Sequence, residues 1–235
     1  MEGTVMRKAM IVAPHPDDAE LAMGGSIAKM IESGWHVLVV DLTDGEPTPF
    51  GSKQIRRGET EKASRILGIT GRMCLDMPNR YLRATLENRR KLAEVIRLNT
   101  PHVIFGPLLP DSHPDHVAAA QLTDGACFEA GLHKTDMKGS PHRPSKRYAY
   151  YSTHRRLHDS PSFIIDITDF WDKKIKAIRA YSSQIKNNAP LEGGGLLEKV
   201  ESTCRYFGQC IGAKYAEPFV AAEPISIRSL DLLVD

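Results

Sequence analysis

Cysteine is sparse in this sequence. Only Cys74, Cys127, Cys204 and Cys210 occur in 235 residues, with no C-x-x-C pair. That usage excludes a secreted disulfide scaffold, and buried, reduced thiols are expected. Long apolar runs are missing too: the longest are strand-sized, and the opening MEGTVMRKAM has no apolar signal core. Neither a bilayer span nor a secretory leader is therefore expected, and a soluble, cytoplasmic protein with no membrane partner is. No block of one charge sign stands out, because 31 basic and 29 acidic residues leave a formal charge of +2. The basic stripe that binds nucleic-acid backbones is thus absent.

What is present is enough for a core. With 41% hydrophobic and 26% charged residues, a chain of this length reads as one globular domain spanning 1–235. Apolar strand-like segments alternate with helical patterns. KAMIVA (8–13) and WHVLVVDLT (35–43) are nearly continuous apolar runs, as in strands covered on both faces. Between them, AELAMGGSIAKMIESG places Leu21, Ile27, Met30 and Ile31 at helical spacing and ends at Gly34. Helices are expected over 55–67, about 86–99 and about 115–131, with strands near 73–75 and over 102–107. The spacing further predicts strands over 148–153 and 163–168, a helix from 168 or 169 to about 184, and a last helix over 196–211. The polar stretch 134–147 reads as an excursion loop and NNAPLEGGG as a flexible segment. The alternation implies an α/β, Rossmann-like fold: a mostly parallel sheet, helices on both faces, and a ligand site beyond the carboxyl ends of the strands.

The first strand-to-helix turn, APHPDD (13–18), lacks the G-x-G-x-x-G of a dinucleotide site and sets two carboxylates where phosphate would need bare amides. Nearly the same tripeptide returns in HPDH (113–116), again just after a predicted strand. Independent placement would give about 0.04 such tripeptides in this composition. Metal chemistry accounts for the echo better. His15 and Asp18 stand three apart at a helix start, and His116 approaches from a neighbouring strand end, so two imidazoles and a carboxylate make the ligand set of a catalytic Zn2+ site. Asp17 is left beside the metal as a general base. His113 is placed to stabilise an oxyanion or protonate a leaving amine, with Asp115 orienting its ring. Taken singly, Asp17 or Asp115 could be no more than helix N-caps. The remaining histidines, at 36, 102, 133, 142, 154 and 158, have no such companions and read as structural or surface residues. A non-catalytic protein on the same scaffold would be expected to have lost a ligand or the base, and none is missing.

HPDD after the first strand with HPDH after a later one resembles the PIG-L or LmbE-like zinc deacetylases of N-acetylglucosamine moieties. DLTDGE (41–46), RRGETEKASRILG (56–68), MPNR (77–80), FEAGLHK (128–134), AYSSQ (180–184) and YAEPF (215–219) are similar to the bacillithiol-pathway branch, which deacetylates the malate glycoside of N-acetylglucosamine. The resemblance implies His15, Asp18 and His116 as zinc ligands, Asp17 as base, and His113 with Asp115 as protonatable histidine and orienting carboxylate. It implies Arg56 as a substrate contact near the metal, where the sequence alone leaves Arg57 an equal candidate. Glu46, Asn79 and Arg80 are expected on the substrate side. Asn79 stands where that branch usually carries aspartate, and Gly195 and Leu196 stand where it carries a tyrosine. The resemblance also implies a homo-oligomer, trimer or hexamer, with 134–147 and 218–235 available for contacts. The implied substrate is a small N-acetylated amino sugar conjugate: the malate glycoside, or alternatively free N-acetylglucosamine or diacetylchitobiose.

Overall fold

The computed structural model describes residues 6–154, 160–187 and 195–226. Seven strands form one sheet: β1 (Lys8–Ala13), β2 (His36–Thr43), β3 (Gly71–Met77), β4 (Val103–Pro107), β5 (Lys146–Tyr150), β6 (Phe163–Asp166) and β7 (Ala216–Ala221). Their order across the sheet is β3-β2-β1-β4-β5-β7-β6. The first five run parallel, and β7 pairs antiparallel with both β5 and β6. The α/β, mostly parallel architecture read from the alternation is the one observed.

Helices α1 (Asp18–Glu32), α2 (Lys53–Leu67), α3 (Leu86–Asn99), α4 (Pro114–Ala130), α5 (Trp171–Ala180), α6 (Ser182–Asn187) and α7 (Leu196–Cys210) complete the fold. Alternate residues of β1 feed two cores. Ala9, Ile11 and Ala13 pack among α1, α2 and α5 residues such as Ile27, Leu67 and Ala177, whereas Met10 and Val12 pack with Leu92, Ile96 and Leu122 of α3 and α4. A period of two on a strand with both faces covered produces this division.

The chain winds outward from β1 to β2 and β3, then returns to place β4 on the other side of β1. That reversal makes a switch point between β1 and β4, and the two HPD turns follow those strands. Among the described residues no helix is long and apolar enough to cross a membrane.

Several expectations need correction. Strand β7 has no counterpart in the sequence reading, because Pro218 argues against a strand interior. It is tolerated because the β5 ladder ends at Phe219, one residue earlier in space, and Pro218 pairs only with Ile164 of β6. The segment 218–235 is accordingly inside the sheet up to Ala221, and 227–235 lies outside the described residues. The single helix expected to reach 184 breaks at Tyr181, whose ring is buried and whose hydroxyl donates to Glu20 Oε1 at 3.0 Å. Helix α6 restarts on Glu59 of α2, which accepts from Ser183 N at 2.7 Å and Ser182 Oγ at 3.1 Å. The loop over 134–147 folds back onto α3: Arg97 donates to carbonyls of Ala130, Met137 and Leu132. All four cysteines are free, but only Cys204 is buried, and Cys74 and Cys210 are exposed. NNAPLEGGG falls outside the described residues apart from its ends, and so does His158.

Helix α1 is itself spliced. Met23 is non-helical (φ −143°). At the break, Glu217 of β7 accepts from Gly25 N at 3.0 Å and Ser26 N at 2.7 Å, capping the second segment. Lys174 of α5 donates to Leu21 O at 2.8 Å, closing the first, and to Glu217 Oε1 at 2.6 Å. Both charged side chains are fully buried. The orphan amides and carbonyls of an interrupted helix are met by one ion pair.

Candidate active site

Four histidines and four aspartates gather beyond β1, β4 and β5. Asp18 opens α1 and directs Oδ2 to Nδ1 of His15 at 3.1 Å and to Nε2 of His116 at 3.3 Å. The far nitrogen of each ring is held by another carboxylate: His15 Nε2 by Asp115 Oδ2 at 3.0 Å, and His116 Nδ1 by Asp111 Oδ2 at 3.1 Å. Ionised carboxylates accept, so each histidine keeps its N–H on the outer nitrogen. The two inner nitrogens then turn lone pairs toward a negatively charged oxygen. Positive charge at the shared point, from a metal ion or from protons on the rings, relieves that arrangement. His116 Nε2 is buried and has no hydrogen-bond partner among the described residues. Two imidazole nitrogens and one carboxylate oxygen, mutually within 4.8 Å, therefore fit a metal of intermediate softness.

With protons alone to fill the point, the same electrostatics raise both rings. Burial by itself would lower His15, but the hydrogen bonds its ring donates to Asp115 and Asp18 overcome it and carry it to about 9. Burial is likewise outweighed at His116, which the Asp18 charge and Asp111 raise to about 10. Asp18 is held well below the usual carboxylate range: burial pushes it up, and His116 and His15 more than reverse the push.

Asp17 occupies the N-cap position of α1 at φ 114° and caps nothing with its side chain. Its carboxylate instead accepts from Arg56 Nη2 at 3.1 Å. The side chain therefore does not act as a helix cap. Its backbone lies in the left-handed region that non-glycine residues seldom occupy, a strain that the surrounding contacts must hold. Burial pushes Asp17 up to about 7; Arg56 opposes the rise and Asp18 adds to it.

Between the two arginines left open by the sequence, the structure chooses. Arg56 is 3% exposed, donates to Pro16 O at 2.5 Å and lies 5.4 Å from the centre of the Tyr181 ring. Arg57 faces solvent and pairs with Glu61 one turn along α2. Ser52 sets this phase by accepting from Ile55 N, which starts α2 so that position 56 points inward.

His113 caps α4, its Nδ1 accepting from Asp115 N at 3.2 Å. Its ring centroid stands 4.8 Å from that of His116 and 4.9 Å from that of His15. Burial, then the neighbouring imidazoles, lower His113 to about 4. The carboxylate of Asp115 does not orient this ring, contrary to expectation. It is engaged by His15 Nε2 and by the amides of Arg80 at 2.7 Å and Leu82 at 3.2 Å.

On the proposed substrate side, the Glu46 carboxylate turns back to accept from Thr48 N and Thr48 Oγ1, both at 2.8 Å. Arg80 reaches across to Pro47 O at 2.6 Å. Asn79 is half-buried in the turn after β3 and makes no side-chain hydrogen bond among the described residues. Leu196 packs into the apolar cluster around Val200 and Cys204, an apolar residue in an apolar place.

Two members of the site were missed in the sequence. Asp111 accepts from His113 N at 2.8 Å as well as from Ser152, and these bonds, with the one from His116, hold its pKa below the usual carboxylate range against the effect of burial. His154, which follows β5, places its ring 5.3 Å from His113 and 5.2 Å from His116. Its position just past the end of the strand next to β4 was the available signal. No motif marked it.

Comparison with known proteins agrees with this geometry. The family described as PIG-L: GlcNAc-PI de-N-acetylase matches residues 10–127. A diacetylchitobiose deacetylase of Thermococcus kodakarensis is 33% identical over 227 residues, covering 90% of this chain and 82% of that protein. The conserved protein TT1542 of Thermus thermophilus superposes with a TM-score of 0.86 at 37% identity, over 94% of this chain and 97% of its own. The N,N'-diacetylchitobiose deacetylase of Pyrococcus horikoshii, solved with its inhibitor MPG, gives a TM-score of 0.78 at 30% identity, over 92% and 84% of the two chains. The chain belongs to the PIG-L family.

Proposed function

We propose that this protein is a zinc-dependent deacetylase that hydrolyses the acetamide of an N-acetylglucosamine conjugate. The observation that carries the reading is the convergence of His15, Asp18 and His116 on one point with Asp17 beside it. Zinc held by those three residues would supply Lewis acidity toward water and the amide carbonyl.

The remaining chemistry belongs to the protein's own side chains. Asp17, raised by burial and steadied by Arg56, accepts the proton of the attacking water. Asp17 then passes that proton to the amide nitrogen as the C–N bond breaks, and His113, neutral near pH 7 in the free site and accepting at Nδ1 from Asp115 N, turns its Nε2–H to the charge developing on the carbonyl oxygen. Asp111 and Asp115 hold the ring orientations of His116 and His15. Acetate and a free amine are the products.

For the aglycone, malate is our first reading. Its carboxylates require cations, and Arg80 is exposed at the rim and anchored through Nη2 to Pro47 O. Diacetylchitobiose is the second reading, favoured by the relatives at 33% and 30% identity. Acetate release from N-acetylglucosaminyl-malate, N-acetylglucosamine and diacetylchitobiose, compared at equal concentration, tests both. Release from none of the three by zinc-loaded protein would overturn the function. We also propose a homo-oligomer, trimer or hexamer, and light scattering that returns the single-chain 26.1 kDa would refute it.

A further inference from the structure

We infer that Tyr81 is the residue on which the pyranose ring of the substrate stacks. The inference rests on the amino-sugar reading above and adds the residue that recognises the sugar.

Tyr81 lies in the connection between β3 and α3. Its neighbours on either side are clamped by a single carboxylate. Asp115 accepts from Arg80 N through Oδ2 at 2.7 Å and from Leu82 N through Oδ1 at 3.2 Å. The same Oδ2 is 3.0 Å from Nε2 of His15. Position 81 is thus mounted on the group that orients one of the three converging residues, only a few bonds from the reaction centre.

The local backbone turns Leu82 inward and leaves Tyr81 outward. Arg80 is held at φ 67°, a left-handed conformation that a non-glycine residue adopts only when the surroundings impose it. Leu82 turns into the core at 5% exposure. Tyr81, between them, is left 74% exposed, and neither its ring nor its hydroxyl has a partner among the described residues. A second tie, Arg80 Nη2 to Pro47 O at 2.6 Å, joins this connection to the loop after β2. A scattered surface tyrosine needs no explanation. One whose two neighbouring amides are both fixed by a carboxylate of the site is an exposed aromatic on a fixed backbone beside that site.

The chemistry of the occupant follows. A rigid tyrosine offers a large apolar face for little loss of conformational entropy, with a polar tip that stays wet. The pyranose ring is matched to it, since its axial C–H groups form an apolar face edged by hydroxyls. An acetamide carbonyl directed at the converging side chains leaves the ring to which it is attached at the rim.

The test compares wild type, Tyr81→Ala and Tyr81→Phe, with Phe128→Ser as a control. Phe128 is a 61% exposed aromatic on α4 that we assign no part in the site. Tyr81→Ala is expected to raise KM for diacetylchitobiose by about tenfold, with kcat within about twofold and metal content unchanged, the pattern of lost uniform binding. Tyr81→Phe and Phe128→Ser are expected to stay within about twofold in both constants. Calorimetric binding of diacetylchitobiose in an Asp17→Asn background reads the same contact without turnover. An unchanged KM in Tyr81→Ala overturns the inference and leaves the deacetylase reading intact. Equal damage from Tyr81→Phe, loss of metal in Tyr81→Ala, or a change in its mass by light scattering also overturns it, pointing to a hydroxyl role, a structural role or a contact between copies. Tyrosine-dependent saccharide binding by a protein that releases no acetate would support the stacking and refute the reaction.

Discussion

Nε2 of His116 lies 3.3 Å from Oδ2 of Asp18 and makes no hydrogen bond to it or to any other described residue. A buried nitrogen facing a carboxylate oxygen with no well-formed hydrogen bond between them is costly unless a proton or a metal ion completes the arrangement. Its ring is fixed from behind by Asp111, on the turn before α4. Removing the ligand and removing its support should therefore differ in degree. His116→Ala is expected to abolish stoichiometric zinc binding, whereas Asp111→Asn, which keeps the volume but not the charge, should weaken it by about 10- to 100-fold. Competition with a chromophoric chelator measures both. Equal affinity in Asp111→Asn and wild type would show that the carboxylate does not tune the ligand.

Asp17 and Asp18 are adjacent in sequence, yet one carboxylate turns to Arg56 and the other to the rings of His15 and His116. Asp17→Asn should retain zinc while kcat falls by about 100- to 10,000-fold, the usual worth of a positioned general base. Since the Asp17 side chain caps no amide of α1, no helix-cap contribution is lost. A metal-loaded Asp17→Asn protein with near wild-type turnover would exclude the residue from the chemistry.

Metal uptake should release protons. In the metal-free protein His15 and His116 titrate near 9 and 10, so both are charged at pH 7 and must be neutral to coordinate. Calorimetry in buffers of different ionisation enthalpy should report about two protons released per ion at pH 7, and fewer above pH 9. The stability consequence has the corresponding sign. Both pKa values lie above the unfolded 6.5, so the charged imidazoles stabilise the metal-free fold fully below about pH 6.5, and that contribution is lost as pH rises through 9 and 10. Denaturation midpoints of metal-free protein should fall over that interval. Release of no protons at pH 7 would refute the assignment of these two rings as ligands.

The buried pair Lys174–Glu217 holds both sides of the break in α1. Glu217→Ala leaves an uncompensated ammonium in the core and uncaps two amides, and is expected to cost about 3–5 kcal/mol. Replacing both residues, Lys174→Met with Glu217→Leu, should cost less than the single change, because no buried charge remains. Urea denaturation of the two variants provides the comparison. A single variant more stable than the double would contradict it.

The parts of this protein written in local chemistry were legible from the chain alone. Alternating strand and helix periods placed β1 to β4, and the types His, Pro and Asp repeated after two of those strands located the site at their carboxyl ends. Local pattern is enough there because β1, β2 and β4 are largely apolar on both faces and each motif sits within a few residues of its helix start. Whatever depends on residues remote in sequence was decided by tertiary structure. The carboxylate of Asp115 serves His15, 100 positions away, rather than His113, two positions away. Arg56, not Arg57, reaches Asp17, because the start of α2 fixes the phase of the helix. His154 joins the cluster through the parallel pairing of β5 with β4, and Pro218 is admitted to β7 because the β5 ladder stops beside it. The deciding term is mostly the burial of a charge or an apolar face against a partner the local sequence does not contain, so residue types marked where the site lies and packing chose which side chains meet there.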